Sequence, residues 1–340
     1  MNTSVRNANW YSKISVLWGQ LISQLSALVV KAPIPKEKYQ TFSQNLPGRL
    51  QTTGILLVVL AQGLTALHAI NKINWSRFML KNKNVLISGG SSGIGLALAK
   101  QFFADGASVT IIARRKDVLQ SALKEIESQR NNPSQFLRSI PVDITKPLYL
   151  KTALSKKRED FDILINSAGI AYPGKFTDLT IEIFREVMDV NYIGTVTLTK
   201  LIIPEMIKNK SGYIVNISSL AALIGIYGYS AYAPSKYAVR GFSRCIRPEL
   251  KSYGIDVSVV LPPDTDTPQL KFEHSLLPDI TREINKNGGV MSPEKVAADI
   301  IRGMQRKKFT IIPGIEGKFL YLFAPIFGRY FYNFAVKKQK

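Results

Sequence analysis

Three patterns of apolar and polar positions run along this chain. The middle pattern, from Asn84 to Ile312, repeats short apolar runs: NVLIS, SVTIIA, SIPVD, DILIN, GYIVNIS and IDVSVVL. Longer stretches with helical spacing separate them. Runs that are apolar throughout suit strands buried on both faces, and strands alternating with helices build a parallel sheet covered on both sides. KFTIIP adds a last strand, for about seven in all. The expected fold is therefore α/β, a doubly wound and mostly parallel sheet. In SPEKVAADIIRGM, Ser292 is placed to cap a helix and Pro293 to occupy its first position.

The two ends follow other patterns. Residues 10–30 place Trp10, Ile14, Leu17, Trp18, Leu21, Leu25 and Leu28 at helical spacing. This is either an interfacial membrane helix or a helix packed on the protein itself, and the absence of acid from residues 1–36 adds a targeting peptide as a third reading. Pro33, Pro35, Pro47 and Gly48 mark residues 31–50 as a linker. From Leu50 to Asn71 no side chain is charged. A bilayer takes roughly 20 apolar residues to cross. Gln62 and His68 interrupt the run, so spanning and dipping both stay open. The last stretch, KFLYLFAPIFGRYFYNFAVKKQK, mixes aromatic rings with Arg329 and a basic end. Such residues prefer the headgroup boundary, although a helix covering a dimer or substrate groove would look similar. The predicted division is a helical, membrane-associating extension over 1–80, an α/β domain over 81–313, and an aromatic, membrane-associating tail over 314–340.

Charge sharpens this picture. The chain of 340 residues carries a net charge of +21. The ends are the most one-sided parts: residues 1–80 hold a single acid, Glu37, and residues 317–340 hold none. Because the basic residues flank apolar runs and no nucleic-acid motif is present, anionic lipid is the expected partner and nucleic acid is not. Lys72, Arg77, Lys81 and Lys83 follow the uncharged run; if it spans, the domain after it faces the cytosol. One cysteine, Cys245, excludes an internal disulfide framework. His68 and His274 stand apart from any ligand cluster, so no metal site is expected.

The first strand runs into Gly89-Gly90-Ser91-Ser92-Gly93-Ile94-Gly95 and then a helix. A glycine turn there lets backbone approach a pyrophosphate, which the helix N-terminus favours. The second strand ends in Ala113-Arg114-Arg115. An acid at that tip would hold a free ribose 2′-hydroxyl, whereas an arginine fork suits a 2′-phosphate. The expected cofactor is thus NADP(H), with Arg114 and Arg115 at its phosphate. Asp143 closes the third strand, placed to accept from the adenine amine. Asn166-Ser167-Ala168-Gly169 closes the fourth, where small residues let the backbone run beside the cofactor.

Tyr232 and Lys236, in YAPSK, share one face of a helix. Tyrosine has a pKa of about 10 and is a poor acid alone. A nearby ammonium stabilises its phenolate, so the pair can protonate a ketone oxygen. Ser219, at the end of GYIVNIS, can hold that oxygen, with Ser218 as the neighbouring candidate on the opposite face. Asn191, in DVNYIGTV, lies mid-helix where asparagine is slightly unfavourable, and could hold a water that resupplies Lys236.

The ordered set SGGSSGIG, NSAG, Asn191, IVNISS and YAPSK resembles the short-chain dehydrogenase/reductases of the extended Rossmann type, over about residues 83–312. The resemblance implies a tetrad of Asn191, Ser219, Tyr232 and Lys236, with Lys236 also on the nicotinamide ribose, and a dimer or tetramer. Ser88 stands where threonine is usual, Ser167 where asparagine is usual, and Pro263 where glycine is usual. Within the family, the loop Leu261–Pro268, GKFTDL and IGIYGYSAYAPSK resemble the branch that reduces a sphingoid ketone. That likeness implies Pro262, Thr265 and Thr267 beside the nicotinamide. It also implies reduction of a long-chain lipid ketone, 3-oxosphinganine, with NADPH at a membrane. Retinal, a steroid or a 3-oxoacyl thioester are the alternative carbonyls. A non-catalytic NADP(H)-binding protein would have an eroded tetrad, and this one is intact.

Overall fold

The computed structural model describes residues 80–155, 160–286 and 288–339. The expected helix over 10–30, the linker and the uncharged run over 50–71 lie outside these residues. All described residues belong to one unit, Arg77–Lys340. Seven apolar runs form strands: β1 (Asn84–Ser88), β2 (Ser108–Ala113), β3 (Leu137–Pro141), β4 (Ile163–Asn166), β5 (Gly212–Ile217), β6 (Ile255–Val260) and β7 (Thr310–Ile311). They pair in the order β3-β2-β1-β4-β5-β6-β7, and every pairing is parallel.

The helices between strands cover both faces, because side chains alternate along each strand. Val85 and Ile87 point to one side, with Val109, Ile111, Ile163, Ile165 and Val215. There they meet Leu98, Phe102 and Phe103 of α1 (Gly93–Ala104), Leu119 of α2 (Lys116–Glu127) and a later helix, Pro293–Gln305, through Val296 and Ile300. Leu86, Ile112, Leu164, Ile214 and Val257 point to the other side. They meet Leu150 of α3 (Pro147–Ser155), Leu198 and Ile202 of α5 (Gly194–Lys208), and Leu250 of α6 (Tyr232–Lys251). Between α3 and α5 lies α4 (Ile181–Met188), joined to α5 by a π-helical turn, Asp189–Ile193.

One strand differs from its expected bounds. β3 begins at Leu137 and ends at Pro141, two residues before the SIPVD run. It is the edge strand, pairing with β2 alone, and is mostly half-buried, so its apolar signal is weak. A proline is tolerated at such an edge. Asp143 therefore lies in the following loop.

After β6 the chain forms α7 (Pro268–Leu276) and α8 (Asp279–Asn285), then α9 (Pro293–Gln305). Ser292 caps α9 as expected, accepting from the Lys295 N–H at 3.3 Å. Thr267 caps α7 in the same way, accepting from the Leu270 N–H at 3.2 Å. The aromatic tail becomes two helices, α10 (Ile315–Leu322) and α11 (Ala324–Lys338). α10 is tied back by the Gly314 N–H, which donates to Asp299 of α9 at 3.0 Å. It also lies close to Leu220, within 3.3 Å of where a Cβ on Gly317 would stand. Lys338 near the end of α11 pairs with Glu283 of α8 at 2.8 Å. Among the described residues no helix is long and apolar enough to cross a membrane.

Candidate active site

The site opens at the C-terminal ends of β1, β4, β5 and β6, where a doubly wound sheet leaves a crevice. A cavity of about 710 Å³ runs from the glycine turn to the aromatic tail. At one end it is lined by Gly89, Ser92, Gly93, Ile94, Ala168 and Gly169, in the middle by Ser219, Tyr232, Lys236, Pro262, Thr265 and Thr267, and at the far end by Phe319, Phe327, Tyr330, Phe331 and Phe334.

The glycine turn is shaped for a backbone-close ligand. Gly89 has φ 70°, and a Cβ there would stand 2.7 Å from the Ala168 nitrogen. Gly93 has φ 55°, and a Cβ would meet Thr267 Cγ2 at 2.8 Å. A Cβ on Gly95 would press on the Gly89 carbonyl. Ser91 lies in the same turn. No side chain caps the N-terminus of α1, so its first-turn N–H groups are left for another acceptor. Ser88 does the work expected of a threonine there: its hydroxyl accepts from the Ala168 N–H at 3.4 Å. These features fit the diphosphate of a dinucleotide.

Arg114 and Arg115 stand exposed at the tip of β2, beyond the cavity lining, and neither makes an ion pair among the described residues. Asp143 is half-buried in its loop, and its Oδ1 accepts from the Thr145 N–H and hydroxyl at 2.9 and 2.8 Å. Its other oxygen has no partner among the described residues. Asn166 itself is not part of the cavity lining. Its side chain turns away from the cavity, donating to Thr199 at 3.1 Å and Asn216 at 2.8 Å beneath the sheet end. Strand alternation sends it inward, while Ser167, Ala168 and Gly169 line the site.

The reactive groups converge from two elements. Lys236 donates to the Ile217 carbonyl at 3.1 Å, and its ammonium lies 5.6 Å from the centre of the Tyr232 ring. The Ser219 hydroxyl and the Gln269 side chain of α7 both lie near the Tyr232 hydroxyl, each placed to favour its phenolate. Ser218 points the opposite way, as alternation requires, and donates to the Lys236 carbonyl at 2.8 Å. Asn191 sits in the π-helical turn rather than in regular helix. Its amide hydrogens go to the Ile170 carbonyl and the Ser235 hydroxyl, both at 2.9 Å, and its Oδ1 accepts from the Ile170 N–H at 2.8 Å. With both N–H groups committed, the side chain fixes the loop after β4. A Cβ on Gly169 would stand 3.2 Å from both Asn191 Oδ1 and Lys236 Nζ, so the glycine keeps that corner open.

Burial disfavours both charged forms. It raises Tyr232 above its ordinary value, and the Glu273 carboxylate raises it further, against lowering hydrogen bonds from Ser219 and Gln269. Burial pulls the Lys236 ammonium down to about 8, with Glu273 opposing. Desolvation of the phenolate is thus the largest influence on Tyr232, and the expected lowering by Lys236 is not among those that act on it. Tyr232 is held as a protonated donor at neutral pH. Tyr229, Gln269 and Glu273 went unnoticed in the sequence. No motif carries Glu273; α7 alone brings it to the cavity.

The chain belongs to the short chain dehydrogenase family, whose model matches residues 83–275. It is an oxidoreductase fold that takes a nicotinamide cofactor. It is 37% identical over 245 residues to 3-dehydrosphinganine reductase of Danio rerio, covering 71% of this chain and 74% of that one. It is 34% identical over 274 residues to 3-ketodihydrosphingosine reductase of Mus musculus, covering 78% and 82%. Among solved structures it is similar to a short-chain dehydrogenase from Sphingobium yanoikuyae in complex with NADPH. There the identity is 27%, the TM-score 0.62, and the coverage 72% of this chain and 94% of that one.

Lys236 keeps its charge below a pH of about 8 and loses it above. As Tyr232 releases its proton, the phenolate is stabilised only while that charge is present. The rate of carbonyl reduction is therefore expected to fall as pH rises through about 8. A pH–rate profile flat across that range would argue against this role for Lys236.

Proposed function

We propose that this protein reduces a long-chain lipid ketone, 3-oxosphinganine, to sphinganine with NADPH, at a membrane surface. The cavity carries this reading. It joins the glycine turn, Tyr232 and an aromatic far wall in one space of about 710 Å³, large enough for a nicotinamide beside an acyl chain. Relatives that bear the reductase name match most of the chain at 34–37% identity.

In the proposed reaction Ser219 holds the ketone oxygen and Tyr232 donates a proton to it. Gly89, Gly93 and Gly95 would hold the diphosphate of NADPH, which when bound would supply hydride for the carbonyl carbon. Lys236 stabilises the phenolate and, from the Gly169 corner, also meets the cofactor ribose. Thr265 and Thr267 would meet the carboxamide. Thr265 is already held, its hydroxyl donating to the Pro263 carbonyl at 2.8 Å, so the proline in that loop is accommodated by a side-chain turn. Arg114 and Arg115, in no ion pair among the described residues, favour the 2′-phosphate of NADP(H) over NAD(H).

Membrane association rests on the tail. Its helices wall the cavity with Phe319, Phe327, Phe331 and Phe334, yet leave Leu322 69% and Ile326 67% exposed beside Phe323, Tyr330 and Tyr332. A contiguous apolar face of this kind, ending in Lys337 and Lys338, fits a bilayer carrying anionic lipid. A chain so docked would draw its substrate from the lipid phase, and if the uncharged run over 50–71 spans, the positive-inside rule puts the domain on the cytosolic side.

The deciding experiment follows NADPH oxidation by the purified protein with 3-oxosphinganine, retinal, steroids and 3-oxoacyl thioesters. Turnover of the sphingoid ketone is expected, reduced about a hundredfold to ten-thousandfold in Tyr232→Phe. Turnover of another carbonyl alone would sink the substrate. For the cofactor, Arg114→Ala is expected to raise KM for NADPH about tenfold or more, the scale of a lost charge-assisted hydrogen bond, with little change for NADH. Equal effects on both would remove the phosphate role. For the membrane, the chain lacking residues 1–76 is expected to float with anionic vesicles, and Leu322→Glu with Ile326→Glu to release it. Flotation unaffected by that pair would move the anchor elsewhere.

A further inference from the structure

One carboxylate in the cavity has no part in the chemistry above. Glu273 lies near the middle of α7 and is 7% exposed. Its Oε1 accepts from Gln269 Nε2 at 2.8 Å and its Oε2 from the Tyr229 hydroxyl at 3.0 Å. The Tyr229 ring is 5.8 Å from that of Tyr232. Gln269 also lies near the Tyr232 hydroxyl, so both hydrogen-bond partners of Glu273 are neighbours of the proton donor.

Its surroundings do not neutralise it. Among the described residues lining the cavity, the charged ones are Lys236, Asp264, Glu273, Glu283 and Glu316. That is one cation against four acids, in a chain whose net charge is +21. Glu283 has Lys338 as its partner. Lys236 donates to the Ile217 carbonyl, and Glu273 makes no salt bridge among the described residues.

A carboxylate buried here is costly twice. Burial disfavours its charged form, and the one nearby cation, Lys236, offsets this only in part. The carboxylate also opposes the reaction, because Tyr232 must become a phenolate beside a like charge. A substrate that brings its own positive charge removes both costs. In a sphingoid ketone the amine sits on the carbon next to the carbonyl. With the carbonyl oxygen on Ser219 and Tyr232, an ammonium one carbon away would lie in the same cavity that Gln269 and Glu273 line.

We propose that Glu273 receives the ammonium group of the substrate and so makes the enzyme selective for ketones bearing an adjacent amine. The assignment rests on the sphingoid reading of the same site. It gives the acidic lining a purpose: a cationic ketone is drawn in, and an anionic thioester carrier is turned away. Glu273 is a specificity residue here, and the proton still comes from Tyr232.

The test compares kcat/KM with NADPH for 3-oxosphinganine and for the same hydroxyketone lacking the amine, using the full chain in mixed micelles. The wild type is expected to favour the amine by about tenfold to a hundredfold, the scale of one charged hydrogen bond. Glu273→Gln, which keeps the shape and loses the charge, is expected to bring that ratio close to one, and Glu273→Asp to retain part of it. N-acetylation of the substrate, assayed on the wild type alone, is expected to cost a similar factor in KM, so the idea stands or falls even if the variants fold poorly. A ratio unchanged in Glu273→Gln overturns the proposal. Equal wild-type rates on the two ketones overturn it while leaving the sphingoid substrate in place. Turnover of only retinal, a steroid or a thioester overturns both.

Discussion

The joint between the end of β5 and the first turns of α6 holds the reactive groups in register. Ser218 donates to the Lys236 carbonyl, and Lys236 donates back to the Ile217 carbonyl. Deeper in, Asn216 donates to Ser243 at 2.9 Å, a third tie between the same two elements. All three are buried, where a broken hydrogen bond leaves an unpaid polar group and costs more than it would at the surface. Strand alternation then does the rest. With Ser218 facing α6, Ser219 must face the cavity, and Tyr232 at the head of the helix meets it there.

The same burial that makes the joint rigid sets the charges of the site. A low-dielectric cavity keeps the proton on Tyr232 and loosens the one on Lys236, as suits a donor with a charge-stabilising neighbour. It also makes every fixed charge in the lining count. Glu273 is the clearest case, since its influence on Tyr232 is second only to that of burial. The far wall, by contrast, comes from α10 and α11 and is mostly aromatic, with Glu316 of α10 as its one charged lining residue. A cavity with a charged head and an apolar body matches an amphipathic molecule. The exposed faces of those same helices explain how such a molecule could be met in a lipid phase.

Much of this was legible in the order of residues. Strand runs such as NVLIS and GYIVNIS read correctly because each is buried on both faces, so its apolar character does not depend on the partner it finds. The glycine turn, Ser292 as a cap, and the Tyr232–Lys236 pair are local in sequence, and their geometry follows from helix and turn rules. Edge strand β3 read two residues late, because a half-buried strand carries a diluted signal. Asn166 and Asn191 sit where binding residues were expected, but which way each side chain turns depends on Thr199, Asn216, Ile170 and Ser235, from elements distant in the chain.

The sequence by itself determined the class of sheet, the turn that faces the diphosphate and the identity of the proton donor, since each depends on residues within one turn or one strand of each other. Only the tertiary structure decided what surrounds that donor. Glu273 lies 41 positions after Tyr232, and Phe331 lies almost a hundred after it. Neither has a local pattern that marks it. Both reach the cavity because α7, α10 and α11 fold back over the strand ends. The charge and the greasy wall that shape substrate choice are therefore products of chain return, which spacing along a sequence does not encode.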